Sequence, residues 1–311
     1  MDGSGRCFNG KTSPKHHQAF LVSYIATSYT SESAWRGMAR PLWFVKMLKR
    51  SFSLRFVGAE MTKWPVIGPI MERALFNGHQ TGDALFYLPK DTVVINQAVD
   101  EPESFVLPSV VIQHFIEEAS YIFLMNKCIC RDAADCQDYD HDIGCIFLGE
   151  AVLDINPKLG KLVDQETAFA HIKRAQEAGL VHLVGRDKID SVWMGVKPST
   201  KLMTICNCCP CCCLFRFIPN LAPKLQKKIE RMPGVHLEIS EDCIGCGLCI
   251  QDVCFIDAIS LVDGRAVISE ECRGCGNCVD VCPEGAITLK IDDEDYIDRT
   301  IDRLTQAVDV R

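Results

Sequence analysis

Eight cysteines between positions 243 and 282 fall into two runs, Cys243-x2-Cys246-x2-Cys249-x4-Cys254 and Cys272-x2-Cys275-x2-Cys278-x3-Cys282-Pro283. Three thiolates in phase on a tight turn can reach three corners of one iron–sulfur cube, whereas the fourth lies too far along the chain and must serve the other cube. The spacing therefore predicts two 4Fe-4S clusters. Cys243, Cys246, Cys249 and Cys282 would hold the first, and Cys272, Cys275, Cys278 and Cys254 the second. Gly245, Gly247, Gly274 and Gly276 sit inside the turns, where a missing Cβ permits positive φ and lets backbone N–H groups approach cluster sulfur. Two zinc ribbons also use C-x2-C pairs, but as two pairs of ligands rather than three cysteines in phase.

An internal repeat supports the same reading without the cysteines. Asp242 to Gly247 matches Glu271 to Gly276 at an offset of 29, and Ala258-Ile259-Ser260 matches Ala286-Ile287-Thr288 at an offset of 28. The segment from about Glu241 to Lys290 resembles the bacterial two-cluster ferredoxin family, which implies a pseudo-twofold dicluster fold and one-electron transfer. Two departures stand out. The first run has four residues before Cys254 where the second has three before Cys282, and Phe255 occupies the position where the family usually has proline.

A second constellation lies upstream. Cys128-x-Cys130-x5-Cys136-x8-Cys145 is followed at a distance by Cys206, Cys208, Cys209, Cys211, Cys212 and Cys213, six cysteines within eight residues. Successive side chains of an extended segment point to opposite faces, so these six cannot all serve one site. Two or three of them, such as Cys206 and Cys208, are expected to join a site completed by Cys128, Cys130, Cys136 or Cys145, giving a third metal or Fe-S centre. Redox-active thiols without metal and structural zinc are the alternatives. Lys127 and Arg131 flank the first pair and could offset thiolate charge. The succession Cys128-Ile129-Cys130-Arg131, Gly179-Leu180-Val181-His182, Ile205 to Cys213 and then a two-cluster ferredoxin is similar to a group of uncharacterised ferredoxin-fused iron–sulfur proteins of anaerobes. That likeness, over about residues 60 to 290, implies architecture and cofactor class but no assigned reaction.

The elements that must position these residues read as an α+β chain. Residues 1 to about 37 show no periodicity, and 1–46 are expected to be disordered or an upstream extension, with Met38 or Met47 as alternative starts; 47–235 form a mixed helix and strand cysteine-rich domain; 236–291 form the dicluster domain; 292–311 form an amphipathic helix with Ile297, Ile301, Leu304 and Val308 on one face. Across the start of the second domain, residues 42–57 read as a helix with a wide apolar face; further on, Thr92–Ile95 reads as a strand and Pro108–Met125 as a helix. Gln165–Ala178 reads as a helix capped by Asp164 and stopped by Gly179, followed by strands at Leu180–Val184, Val192–Val196 and Lys201–Ile205, then a helix near Ala222–Met232.

Nineteen cysteines at metal-ligand spacings argue for a reducing, cytoplasmic setting rather than for disulfides. No apolar run reads as a spanning segment, although the 42–57 helix could lie at a membrane surface or dock on a partner. Residues 241–290 carry nine acidic side chains (Glu241, Asp242, Asp252, Asp257, Asp263, Glu270, Glu271, Asp280, Glu284) against three basic ones. That excess disfavours nucleic acid and implies a redox partner with a basic docking patch. No nucleotide-binding glycine loop or nucleophile elbow is present. His114, His171 and His182 read as structural. The expected function is electron transfer; a reductase fed by the ferredoxin segment and a metal-handling or cluster-assembly protein are the rivals.

Overall fold

The computed structural model describes residues 40–75, 83–90, 107–292 and 295–311. Helices α1 (Leu42–Arg50), α2 (Arg55–Met61) and α3 (Ile67–Leu75) precede β1 (Ala84–Tyr87). There follow α4 (Leu107–Glu118), β2 (Ile122–Met125), α5 (Ile129–Ala134), β3 (Ile146–Leu148), β4 (Gly160–Val163), α6 (Gln165–Glu177), β5 (Val181–Arg186), α7 (Lys188–Met194), β6 (Met203–Cys208), α8 (Pro223–Gln226) and β7 (Ile229–Arg231). The seven strands form one mixed sheet in the order β4-β2-β3-β6-β5-β1-β7, antiparallel except for the parallel pair of β1 and β7. The chain is thus mixed α/β.

Alternation along the strands separates two faces. Phe86, Ile122, Leu124, Ile146, Leu148, Val184, Met203 and Ile205 point to one face and pack with Val111, Phe115, Ala168 and Ile172 of α4 and α6. Tyr87, Leu183 and Cys208 point to the opposite face, as do Phe123, Met125 and Phe147. One face is therefore sealed by helices. The other carries the cysteines.

Two short ribbons follow the sheet. β8 (Val235–Ile239) pairs antiparallel with β11 (Ile287–Ile291), and β9 (Ile259–Val262) with β10 (Arg265–Ile268); α9 (Asn277–Asp280) lies between them. Asp263 and Gly264 both have positive φ, the requirement of a two-residue hairpin turn that matches strand twist. Gly245 has φ +67, and a Cβ there would stand 1.9 Å from the Gly264 carbonyl oxygen, so the first cysteine turn is seated against that hairpin where only glycine fits. Helix α10 (Tyr296–Ala307) returns to the sheet, burying Tyr296, Leu304 and Ala307 in the core shared with Phe86 and Leu88.

Several sequence expectations are corrected. The helix expected to reach Met125 stops at Glu118, and Ile122–Met125 is an inner strand between β4 and β3. A fully buried strand shows an unbroken apolar run, which periodicity cannot tell from a buried helix. Val192–Val196 is not a strand: Asp187 accepts the Asp190 N–H at 2.7 Å as N-cap of α7, and Gly195 ends that helix at φ 72. Local capping outweighed a short valine-rich window. The helix near Ala222–Met232 shrinks to α8, because Ile229–Arg231 pairs with β1. The 42–57 helix breaks at Ser51, whose hydroxyl donates to the carbonyls of Met47 and Leu48. Strand Thr92–Ile95 and residues 1–39 lie outside the described residues.

Helix α6 matches its prediction closely. Asp164 accepts the Thr167 N–H at 2.9 Å, and the Gly179 N–H donates to the Gln176 carbonyl at 2.8 Å. The hydrogen bonds to Thr167 hold the Asp164 carboxyl below its ordinary value, so the cap is present above that ordinary value and is lost as pH falls through the lowered one. Asp164→Ala should destabilise the protein by about 1 kcal/mol, read by denaturant unfolding at neutral pH. An unchanged midpoint would remove the cap from the account.

Candidate metal centres

The eight C-terminal cysteines interleave across their two runs. Cys249 has Cys246, Cys243 and Cys282 as its thiol neighbours, whereas Cys278 faces Cys275, Cys272 and Cys254. The two crossing cysteines are held alike: the Ala258 N–H donates to Cys254 Sγ at 3.3 Å and the Ala286 N–H to Cys282 Sγ at 3.3 Å. Ala266 N–H and Gly274 N–H donate to Cys243 and Cys272, each at 3.4 Å. Positive φ at Gly245, Gly247, Gly274 and Gly276 recurs through the repeat. These backbone dipoles aim their positive ends at the sulfurs, the arrangement an anionic sulfur centre requires.

The second set encloses a cavity lined by Cys254, Cys272, Cys275 and Cys278 together with Tyr87, Phe255 and Arg273. Two donors bordering it, Tyr87 Oη and Arg273 Nε, are buried without a hydrogen-bond partner. Leaving such groups unpaired costs about 1–3 kcal/mol each, so a cavity with four thiols and two unspent donors fits an occupant rich in sulfur acceptors. Burial pushes the Cys275 thiol up to about 12 and Cys278 higher still. Metal uptake here must expel protons and weakens as pH falls. The first set is more open: Cys246 is exposed, beside the exposed apolar side chains of Ile244 and Leu248.

The ten upstream cysteines divide into two groups, each drawing on both stretches. Cys136, Cys209, Cys211 and Cys212 lie with all four sulfurs within 4.8 Å of one another. Zn–S bonds of about 2.3 Å set tetrahedral thiolates roughly 3.8 Å apart, so this compact group suits a single ion, whereas a cubane needs wider spacing. Cys128, Cys130, Cys145, Cys206, Cys208 and Cys213 line a neighbouring cavity, whose wall Cys209 also borders. Strand register accounts for the division. Ile146 pairs with Ile205 across β3 and β6, so Cys145 and Cys206, one step outward, meet with their sulfurs at 3.4 Å, and Cys208 shares their face. Cys209 begins the turn beyond β6 and leads to the four-thiol group.

Arg131 stands between the groups. It is 0 % exposed, and its guanidinium donates to the carbonyls of Asp140 at 3.0 Å, Asn207 at 2.9 Å and Ile143. Burial opposes its charge, but Cys128 and Cys209, one from each group, favour it and prevail. The sequence marked Arg131 only as a flanking charge. His171 Nε2–H donates to the Gly144 carbonyl, and His182 Nδ1 meets Asn207 Oδ1 at 2.9 Å. The Asn207 amide donates to Gly144, which leaves its Oδ1 as the acceptor for His182. Desolvation lowers His182 to about 4, consistent with a neutral structural imidazole.

Residues 266–288, which contain Cys272, Cys275, Cys278 and Cys282, match the 4Fe-4S binding domain family. Neither a curated protein nor a solved structure matches the chain. The chain carries a 4Fe-4S binding motif near its C-terminus and a four-cysteine group capable of holding a metal elsewhere.

Proposed function

We propose that this chain is an electron-transfer protein with two 4Fe-4S clusters, on Cys243, Cys246, Cys249 and Cys282 and on Cys272, Cys275, Cys278 and Cys254, and with a further ion on Cys136, Cys209, Cys211 and Cys212. The interleaving of Cys254 and Cys282, each steadied by the N–H four residues ahead, carries the reading. Two zinc ribbons would have no use for it. Clusters supply reversible one-electron chemistry; the chain's part is to set their surroundings.

Those surroundings are unequal. Electrons would enter at the first set, where Cys246, Ile244 and Leu248 are exposed and Glu241 and Asp242 stand alongside. All nine acidic residues of 241–290 are exposed, which suits a redox partner with a basic patch around an apolar centre. The second set, bordered by Phe255 and Tyr87, lies on the side of the sheet. It would pass electrons inward. A cytoplasmic, reducing setting remains part of the proposal.

The test is anaerobic iron, sulfide and zinc analysis of the full chain with EPR of the reduced protein. At least about eight irons, four per cubane, and two magnetically interacting signals are expected. About four irons and one isolated signal would reduce the protein to a single-cluster carrier, and zinc alone would sink the proposal.

A further inference from the structure

Six thiols remain outside the ligand sets named so far, and they form a ring. Cys128 meets Cys130 and Cys145, Cys145 meets Cys206, Cys206 meets Cys208, and Cys208 meets Cys213. Cys213 and Cys130 are again neighbours, which closes the circuit. We propose that this ring holds an additional iron–sulfur cluster, distinct from the ion of the four-thiol group, and that Tyr87 and Phe255 lie between it and the second C-terminal cubane.

Spacing is the first argument. Among the described residues Cys136, Cys209, Cys211 and Cys212 form the group compact enough for a single ion, whereas the ring thiols are spread round a cavity and suit the wider corners of a cluster, four of them as ligands. Cation placement is the second. Besides Arg131, the Arg55 guanidinium lies near Cys130 and Cys213, stacked 4.2 Å from the centre of the Phe52 ring, with its Nε buried and unpartnered. A buried donor without an acceptor on a cation close to these thiols fits an anionic sulfur centre nearby. Arg131 likewise has only carbonyls among its hydrogen-bonded oxygens, so the countercharge it requires must come from thiolate.

Connection to the C-terminal segment is the third. Tyr87, 1 % exposed, has ring thiols Cys213, Cys208 and Cys206 and also Cys275 of the second C-terminal set among its neighbours. Its ring lies 5.3 Å from that of Phe255, the residue that departs from the proline of the resembled family. The ring thiols Cys130, Cys206, Cys208 and Cys213 belong to one apolar core with Tyr87, Phe255, Cys254, Cys272 and Cys275. The substitution at 255 thus places an aromatic side chain where two sites approach. A single electron crossing this gap leaves one site as it reaches the other, with no bond or proton changing hands.

Full-length protein, reconstituted anaerobically with iron and sulfide, should bind about twelve irons, four beyond those of two cubanes. The double variant C206S/C208S should lose about four of them while keeping the four-thiol ion, and C211S/C212S should do the reverse. The deciding quantity is the difference between wild type and C206S/C208S. A defect in the cubanes lowers both counts and leaves that difference intact, so the electron-carrier reading and this one fail separately. No difference, zinc in place of the extra iron, or loss of both metals in both variants would overturn the proposal. Should the double variant not fold, wild type decides alone: a third reduced-state EPR signal that speeds relaxation of the second cubane supports the ring cluster, and its absence at about eight irons overturns it.

Discussion

Serine at position 254 should erase the cluster held by Cys272, Cys275 and Cys278 and spare the one held by the three cysteines of its own run. Cys254 stands with the downstream thiols, and the Ala258 N–H at 3.3 Å aims its sulfur there. Loss of one corner ligand exposes a cube edge to solvent and removes a thiolate from a cavity built around four. The full-length variant should retain about four fewer irons, and the interacting signals of the reduced protein should collapse to one isolated signal. Cys246→Ser is the control, because it should remove the other cluster. If Cys254→Ser and Cys246→Ser leave the same surviving signal, the crossed assignment is wrong.

The second large effect should come from Arg131→Met. This change removes three hydrogen bonds to carbonyls of Asp140, Ile143 and Asn207, residues on the two segments that deliver Cys136, Cys145 and Cys206 to Cys213. Breaking one partner of a fully buried charged arrangement costs about 3–5 kcal/mol, against a total stability of about 5–15 kcal/mol for a typical domain. Denaturant unfolding should show that loss, and metal analysis should show depletion of the four-thiol ion. Lysine should not rescue, since a compact ammonium cannot reach three divergent carbonyls as the guanidinium fork does. A stable Arg131→Met protein with full metal content would show that the two loops are held by other contacts.

What could be read from the chain beforehand followed from how local each feature is. The positive φ of Gly245, Gly247, Gly274 and Gly276 was plain because a turn of this kind is specified within a few residues. Helix α6 was equally plain, with Asp164 and Gly179 writing both its ends into the sequence. The division of the upstream cysteines needed the register of β3 against β6, a pairing of residues 61 apart for Cys145 and Cys206. Alternation told that the six could not share one site, but not that Cys136 would leave Cys128, Cys130 and Cys145. Ile122–Met125 was misread because an inner strand is apolar on both faces, and Val192–Val196 because Asp187 and Gly195 outweighed side-chain preference. Tyr87 carried no signal at all. It belongs to no motif, and its position between two sets of thiols arises only when β1 pairs with β5 and β7.

Helix α10 has a bearing on how the protein is made. Its Tyr296, Leu304 and Ala307, with Val308 and Val310 just beyond, fill the same layer as Phe86 and Leu88 of the first sheet segment, and the Ser120 N–H donates to the Val310 carbonyl at 2.9 Å. The strands it covers are all made before it, so the part of that sheet face formed by β1 and β5 keeps an open edge until α10 docks. The helix thus acts as a latch, closing a layer that α4 and α6 cover only in part.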